Sequence, residues 1–237
     1  PQAVSLAHAG KVVGDDAMAR RFLVVAIARV TREPGNLQHY RAVVQACRQL
    51  GSIADALQWV RKAREQPLGR ADAALEKQEA ELAVALLEQR VREAEAAQAA
   101  AAMEPAAQAR LAAVRSELAE FRLGEATRYA ERYPNDHAAR HALAVLSLEA
   151  GRVDAAIGHF QQAQKGAQVR IASLIGLGRC FKAKRLYDLA AAQLSLAKSE
   201  LGALDATKKD VLYELGTCYE AMGQRDAAIA EFKAVYS

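Results

Sequence analysis

The stretch YELGTCYEAMGQRDAAIAEFKAVY, from Tyr213 to Tyr236, determines how the rest of the chain is interpreted. Its apolar residues have helical spacing, yet Gly216 lies inside that pattern and Gly223 divides it in two. Glycine inside a helix costs about 1 kcal/mol relative to alanine, so a tolerated glycine requires a structural reason. We therefore expect two helices that reverse at Gly223 and approach each other closely at Gly216.

The same arrangement of small and bulky residues recurs in three further segments. They are LIGLGRCFKAKRLYDLAAAQLSLAKSEL (174–201), ALAVLSLEAGRVDAAIGHFQQAQ (142–164) and YRAVVQACRQLGSIADALQWVRKARE (40–65). Corresponding leucines are 34 residues apart between Leu143 and Leu177, and 38 residues apart between Leu177 and Leu215. Self-similarity at this period predicts stacked helical hairpins. We expect these hairpins to reverse at Gly51, Gly151 and Gly223, and their paired helices to approach closely at Gly178 and Gly216.

These segments resemble the tetratricopeptide repeat family, which has bulky-x-x-Leu-Gly-x-x-Tyr on its first helix and Ala-x-x-x-Phe-x-x-Ala on its second. The last repeat carries the pattern at Leu215, Gly216, Tyr219, Ala228 and Phe232. A weaker copy fills 3–36, with Leu6, Ala7, Gly14, Ala19, Leu23 and Ala26 in register and Gly10 where the family has an aromatic residue. The resemblance implies an all-α fold, a right-handed α-α superhelix, and a role as an adaptor or assembly factor.

Residues 71–136 depart from the repeat. Two further repeats would have to reverse near Ala85 and Glu117, where the sequence has no Gly, Pro, Asn or Asp, and the strongest breaker is Pro105. The sequence predicts one helix over about 72–101 and another over about 105–133, packed antiparallel as a coiled-coil-like hairpin. Its tip around Met103 is either a binding arm or an overgrown hairpin without a partner.

The predicted organisation is therefore two repeats over 3–70, the long hairpin over 71–136 and three repeats over 137–237, the last of them truncated. Within the family, the chain also resembles bacterial repeat proteins that carry such a hairpin in the middle of the array.

No residue pattern indicates catalysis, a cofactor or a metal site. His137 and His141 have the i,i+4 spacing of metal ligands, but no third ligand is evident. Cys47, Cys180 and Cys218 form no CxxC pair and are odd in number, which indicates a reducing compartment and a cytoplasmic location. The net charge of +4 comes from 32 basic and 28 interspersed acidic residues, which argues against nucleic-acid binding. No apolar run approaches the ~20 residues that span a membrane.

We expect the function to lie on the surface, because the first helices of stacked repeats line a concave groove. This groove would change from cationic, through apolar, to mixed polar. It predicts a non-enzymatic scaffold that binds a protein or peptide partner with an apolar centre and acidic residues. The predicted partner-binding side chains are Gln38, Arg41, Gln45, Arg48, His141, Val145, Leu148, Ile175, Arg179, Lys182, Tyr213 and Thr217.

Two other hypotheses stay open at the level of sequence. The chain is a structural subunit that forms a homo-oligomer through the hairpin and the open repeat ends, because Phe232, Val235 and Tyr236 have no capping helix after them. Alternatively, it is a regulatory domain of an enzyme encoded upstream or downstream. The chain starts at Pro1 rather than Met, so a removed leader or an upstream domain is compatible with the sequence.

Overall fold

The computed structural model describes residues 2–101, 104–202 and 204–236, and for residues 2–15 it describes the backbone only. These residues form eleven α-helices and contain no β-strand, which confirms the predicted all-α fold class. The helices belong to two compact units, Pro1–Leu118 and Ala119–Ser237, and the division falls inside the fifth helix.

The first unit consists of helices that pack on each other in chain order. They are α1 (Gln2–Arg32), α2 (Leu37–Gln49), α3 (Ile53–Glu65), α4 (Ala73–Ala100) and the beginning of α5 (Pro105–Arg132). α1 packs on α2, α2 on α3, and α3 on α4. The hairpin formed by α2 and α3 buries small and medium-sized apolar side chains: Val43, Val44, Cys47, Ala56, Val60 and Ala63.

The predicted first repeat, over 3–36, is not formed as two helices. The sequence predicts a reversal at Gly14, but α1 runs through this residue as one helix of 31 residues. A single glycine costs a helix about 1 kcal/mol, and a long helix tolerates that cost. Ala19 and Ala26 are buried as the repeat pattern predicts for a second helix. The side chains of Leu6, Ala7, Gly10 and Gly14 lie outside the described residues.

α4 and α5 have 28 residues each, and their bounds agree with the predicted ones to within one residue. Two ion pairs join them inside the first unit, from Arg90 to Glu117 at 2.9 Å and from Arg115 to Glu95 at 2.7 Å. Since the residue numbers change in opposite directions, these segments run antiparallel. The tip around Met103 lies outside the described residues, and the interpretation of the pair as an inserted arm stays a prediction.

The second unit contains the end of α5 and three helical hairpins. These are α6 (His137–Glu149) with α7 (Val153–Ala163), α8 (Arg170–Ala183) with α9 (Tyr187–Glu200), and α10 (Ala206–Ala221) with α11 (Arg225–Ala234). Successive hairpins stack, because α7 packs on α8 and α9 packs on α10. Together with the hairpin of the first unit, the first helices are α2, α6, α8 and α10, and the second helices are α3, α7, α9 and α11.

Each of these four hairpins reverses through the same turn. The residue with positive φ is Gly51 (70°), Gly151 (72°), Gly223 (75°) or Arg185 (60°). The next N–H then donates to the carbonyl five residues earlier, as from Leu186 to Phe181 at 2.9 Å. This is the Schellman end of a helix, which favours glycine because a Cβ is disfavoured at positive φ. The predicted reversals at the three glycines are confirmed, and Arg185 takes the same conformation with a side chain.

The glycines inside the first helices lie where large side chains cross. A Cβ on Gly178 would be 2.6 Å from Cγ of Leu194, and a Cβ on Gly216 would overlap the ring of Phe232. The second helices contribute small residues in turn, since Ala190 and Ala228 are buried. Small residues therefore face large ones across each hairpin, and the predicted role of both glycines is confirmed.

Ion pairs join each hairpin of the second unit to its neighbour. Lys184, directly after α8, pairs with Asp154 on α7 at 2.5 Å, and Lys198 on α9 pairs with Glu231 on α11 at 2.7 Å. The partners are 30 and 33 residues apart, which is about one repeat. Successive repeats are thus held together by polar contacts as well as by the apolar core.

Candidate functional site

The predicted partner-binding residues fall into two groups that lie in different units. Gln38, Arg41, Gln45 and Arg48 are exposed on α2 in the first unit. The remaining eight lie on α6, α8 and α10 in the second unit. Because the registers of the first helices agree, each group projects from the same side of its own helices.

Five of the eight residues in the second unit surround one open cleft of about 390 Å³, which we call the α6–α8 cleft. α6 and α8 form its walls, the second helix α7 contributes to its floor, and the start of α10 closes one end. The lining residues are His141, Val145, Leu148, Glu149, Phe160, Ala172, Ile175, Gly176, Arg179 and Thr207.

The floor of the α6–α8 cleft is aromatic and tightly packed. Gly176 lies against the ring of Phe160, because a Cβ on this glycine would overlap the ring. The ring of His141 lies 5.4 Å from that of Phe160, and its Nδ1 is 3.0 Å from the buried hydroxyl of Ser173. Burial lowers the pKa of His141, so the imidazole is neutral at pH 7. The floor therefore carries no charge.

The walls of the α6–α8 cleft are apolar and half-buried. Val145, Leu148 and Ile175 keep part of their surface open, and each also packs on a core cluster. Arg179 stands at the rim with 53% of its side chain exposed. A pocket with apolar walls and a few polar groups at its edge is typical of binding sites for apolar side chains.

Lys182, at the end of α8, contributes less positive charge to the predicted groove than the sequence indicates, because its ammonium group is already paired. Its Nζ lies 2.5 Å from Oε2 of Glu214 and 2.7 Å from Oγ1 of Thr217. Arg179 is more weakly held by the same carboxylate, at 4.0 Å. Glu214 comes from the next repeat, so a pattern search within one repeat does not associate it with Lys182.

Arg41 in the first unit is also already paired, although the sequence predicts a partner-binding role for it. Its guanidinium donates to the carboxylate of Asp72 at 2.7 Å, and the other oxygen of Asp72 caps the start of α4. This contact and the helix start lower the pKa of Asp72, the largest cause being the hydrogen bond from the N–H of Leu75. Gln45 faces a second cleft between α1 and α2. Arg41 is therefore part of the scaffold and does not offer a free charge.

Tyr213 lies on the last repeat in the register of His141. Its ring is 5.8 Å from that of Phe232 on α11, and 59% of the residue is exposed. The two positions therefore share one geometry, in which an aromatic side chain of the first helix contacts a phenylalanine of the second.

Several residues of the α6–α8 cleft were not among the predicted ones. Phe160 and Gly176 were assigned only to packing or to no role, and Glu149 and Thr207 were not considered. Gly176 is two residues from the predicted packing glycine Gly178, so its small size could have indicated a second close contact between the helices. Thr207 had no such signal, because it lies at the start of α10 in the next repeat.

Across the part of the chain that the structure describes, no group of three or more His, Cys, Asp or Glu side chains could hold a metal ion. His137 contacts Gly166, and His141 points towards Ser173. Within the same residues, no helix combines the length and the apolarity that crossing a membrane requires. The three cysteines are unpaired and buried, and burial raises the pKa of Cys180 to about 11.

Comparison with solved structures identifies the fold. MamA protein is 16% identical, with 84% of this chain and 89% of that one covered and a TM-score of 0.50. The chain has a tetratricopeptide-repeat-like fold. BtubC from P. vanneervenii is 17% identical over 95% of this chain and 89% of that one, with a TM-score of 0.49. Kinesin light chain TPR-like repeats of Podosopora anserina are 19% identical over 86% and 94%, with a TM-score of 0.43.

No protein-family model matches the chain, and no curated protein does so either. At these identities the structural similarity concerns the fold alone. The partner and the role of the surface have to be argued from the residues of this chain.

Proposed function

We propose that the chain is a non-enzymatic scaffold that binds a segment of a partner protein in the α6–α8 cleft. The observation that supports this most directly is the grouping of Val145, Leu148 and Ile175 around one opening over an uncharged floor. Three half-exposed aliphatic side chains around one concave opening are typical of a binding surface, because soluble proteins rarely expose clustered apolar side chains to water without a function. Burying one leucine or phenylalanine there contributes about 1.5–3 kcal/mol to binding.

The rim determines the second feature of the partner. Arg179 keeps most of its side chain open, and its planar guanidinium binds carboxylates with two parallel hydrogen bonds. Lys182 is neutralised by Glu214, so the rim attracts one carboxylate and not an acidic run. The preferred segment therefore has one or two apolar side chains and an acidic residue close to them in sequence.

A displayed library of random 12-residue peptides, selected on the 237-residue chain, tests this proposal. We expect the enriched peptides to contain adjacent apolar residues and an acidic one. Arg179→Glu should weaken their binding at least tenfold, because it places a negative charge at the rim. Arg225→Glu is the matched control, since Arg225 is an exposed arginine at the start of α11, outside the cleft.

Binding that is equal for the two variants would show that the peptides attach elsewhere. Selection of purely basic or purely polar peptides would contradict the proposed chemistry. Both variants are exposed substitutions, so their melting temperatures should match that of the unsubstituted chain to within a few degrees.

A second candidate function, a self-assembling structural subunit, rests on exposed apolar side chains of the last repeat. Ile229 on α11 is 50% exposed, and Tyr236, which follows α11, is 91% exposed. Exposed apolar side chains that lie near each other are typical of surfaces that contact another protein. Light scattering over a dilution series tests this candidate, and a strict monomer at high concentration would eliminate it.

The hairpin of α4 and α5 and the location of the protein complete the proposal. Deletion of 94–108 should abolish capture of any partner that binds the tip and leave selected cleft peptides unaffected. Three buried, unpaired thiols suit a reducing compartment, and we place the protein in the cytoplasm on that ground.

A further inference from the structure

The helix α9 exposes leucines on the side that is turned away from α8 and α10. Leu186, directly before α9, is 39% exposed, and Leu189 and Leu196 on α9 are 43% and 40% exposed. Ala192 between them is also exposed. We call these four residues the α9 stripe. The opposite side of α9 packs on α8 and α10 and buries Ala190, Ala191, Leu194 and Ala197.

The repeat itself does not require leucines at these positions. The buried alanine that corresponds to Ala190 fixes the register of α3, α7 and α11. None of these three second helices has a leucine in the register of Leu186, Leu189 or Leu196. The corresponding residues are Ser52, Arg152 and Gln224, then Asp55, Ala155 and Ala227, then Lys62, Gln162 and Ala234. Exposed leucines clustered on one helix, where the fold accepts polar or small residues, indicate a contact surface.

The other second helices of this unit leave space beside the α9 stripe. Ala192 has the register of Gly158 on α7 and of Ala230 on α11. A Cβ on Gly158 would meet no atom within 4 Å, and Ala230 is exposed. The leucines of α9 therefore project further than the side chains at the same positions of α7 and α11, and another helix can reach them.

The spacing within the α9 stripe suits an α-helix as the occupant. Leu189, Ala192 and Leu196 follow each other at intervals of three and four residues, which is the spacing of a seam between two paired helices. Leu189 and Leu196 are equally far from the midpoint of the stripe, which lies between residues 192 and 193. Two identical helices that pack antiparallel about this midpoint therefore place each of these leucines against the other.

The charges at the two ends of α9 favour a second copy of the same helix. Arg185, just before α9, is exposed and has no ion pair among the described residues. Glu200 ends α9, and its carboxylate is 2.8 Å from Arg170 with 28% of the side chain still exposed. Arg185 and Glu200 are also equally far from the midpoint of the stripe. An antiparallel pair brings opposite charges together at both ends, whereas a parallel pair would bring like charges together.

We propose that two copies of the chain form a dimer through their α9 stripes, antiparallel and with the two-fold axis at Ala192. Leu189 of each copy then lies against Leu196 of the other, and Arg185 faces Glu200 of the other copy. A pair of single helices of 14 residues buries less than the about 1,200 Å² of stable dimers, so this dimer is weak and depends on concentration. Its surface is separate from the α6–α8 cleft and from Ile229 and Tyr236, so its failure and theirs are distinguishable.

Sedimentation equilibrium of the 237-residue chain between about 5 and about 500 µM tests the dimer. We expect the average mass to rise with concentration towards that of two chains. Leu189→Glu combined with Leu196→Glu should weaken association at least tenfold, because it places carboxylates inside the apolar contact. Ile229→Glu is the matched control, since Ile229 is equally exposed on α11, and it should leave association unchanged. All three positions are exposed, so the melting temperatures should agree to within a few degrees.

Disulfide formation between copies tests the antiparallel register. The native cysteines are buried, so Ala192→Cys supplies the accessible thiol and should give a covalent dimer in oxidising solution. Ala230→Cys, at the same position of α11, should not. Leu189→Cys alone should react poorly, because the two copies of residue 189 are about 10 Å apart along the helices. A mixture of Leu189→Cys and Leu196→Cys chains should form the mixed dimer.

Three results would overturn the proposal. A monomer at the highest concentration would show that the α9 stripe does not pair. Association that resists the two leucine substitutions and is lost in Ile229→Glu would assign it to the last repeat. Crosslinking of Leu189→Cys chains with each other as readily as with Leu196→Cys chains would exclude the antiparallel arrangement.

Discussion

The close approach of Leu194 to Gly178 leads to a specific prediction for Gly178→Ala. The new Cβ would lie 2.6 Å from Cγ and 2.8 Å from Cδ2 of Leu194. Overpacking of this kind costs about 1–3 kcal/mol, while alanine gains about 1 kcal/mol over glycine in a helix. Gly178→Ala should therefore lower the free energy of unfolding by about 1 kcal/mol.

Gly158 provides a control with the same change and a different environment. It lies inside α7, and a Cβ there would meet no other atom within 4 Å. Gly158→Ala should therefore raise the free energy of unfolding by about 1 kcal/mol. The two substitutions differ in sign only because one position has space for a methyl group.

A double-mutant cycle with Leu194→Ala identifies the cause. Leu194→Ala alone should cost about 2–5 kcal/mol, because the side chain is buried. In that background the obstructing atoms are absent, so Gly178→Ala should become stabilising, with a coupling energy of about 2 kcal/mol. Urea unfolding followed by circular dichroism at 222 nm measures all five chains. Equal stabilisation by Gly158→Ala and Gly178→Ala would refute the close packing at Gly178.

Two further predictions concern the turns and the pH dependence. Arg185→Gly should raise the free energy of unfolding by about 0.5–1 kcal/mol, because Arg185 has φ of 60°, whereas Ala183→Gly should lower it, because Ala183 is the last helical residue of α8. The same urea assay checks both, and an equal loss would contradict the left-handed turn. Lowering the pH from 7 to about 5.5 should reduce the free energy of unfolding. Burial lowers the pKa of His141 in the folded chain, and burial together with the charge of Arg140 lowers that of His159. In the unfolded chain both histidines have the ordinary pKa near 6.5, so below this pH the unfolded chain binds more protons than the folded one. Replacing both histidines by glutamine should flatten this dependence in thermal unfolding, and an unchanged slope would contradict it.

The hairpins of the second unit were predictable because their signals are local. A glycine at the turn and an alanine five residues later recur in register, and each has one structural use. Arg185 shows the limit of this rule, since it takes the same turn without glycine. Its hairpin was still recognised, because Gly178 and Ala190 fixed the register on both sides.

The first repeat could not be predicted in the same way, because the local signals at Gly14 conflict. The turn signal of Gly14 competes with a long helical stretch, and the structure has the helix. The position of the α6–α8 cleft followed from helical spacing, as Val145 and Ile175 show. The charge beside the cleft could not be predicted in this way, because Glu214, which pairs with Lys182, belongs to a different repeat.

The ion pairs between neighbouring hairpins have a consequence for how the second unit comes apart. Lys184 and Lys198 each reach a residue about one repeat away. The free energy of unfolding in such an arrangement is approximately a sum of contributions from each repeat and from each interface between neighbouring repeats. Opening of the last hairpin therefore loses only the contributions that involve this hairpin. We expect α10 and α11 to exchange their amide hydrogens sooner than α8. Heating would then shorten the ordered part from its end before the remainder melts.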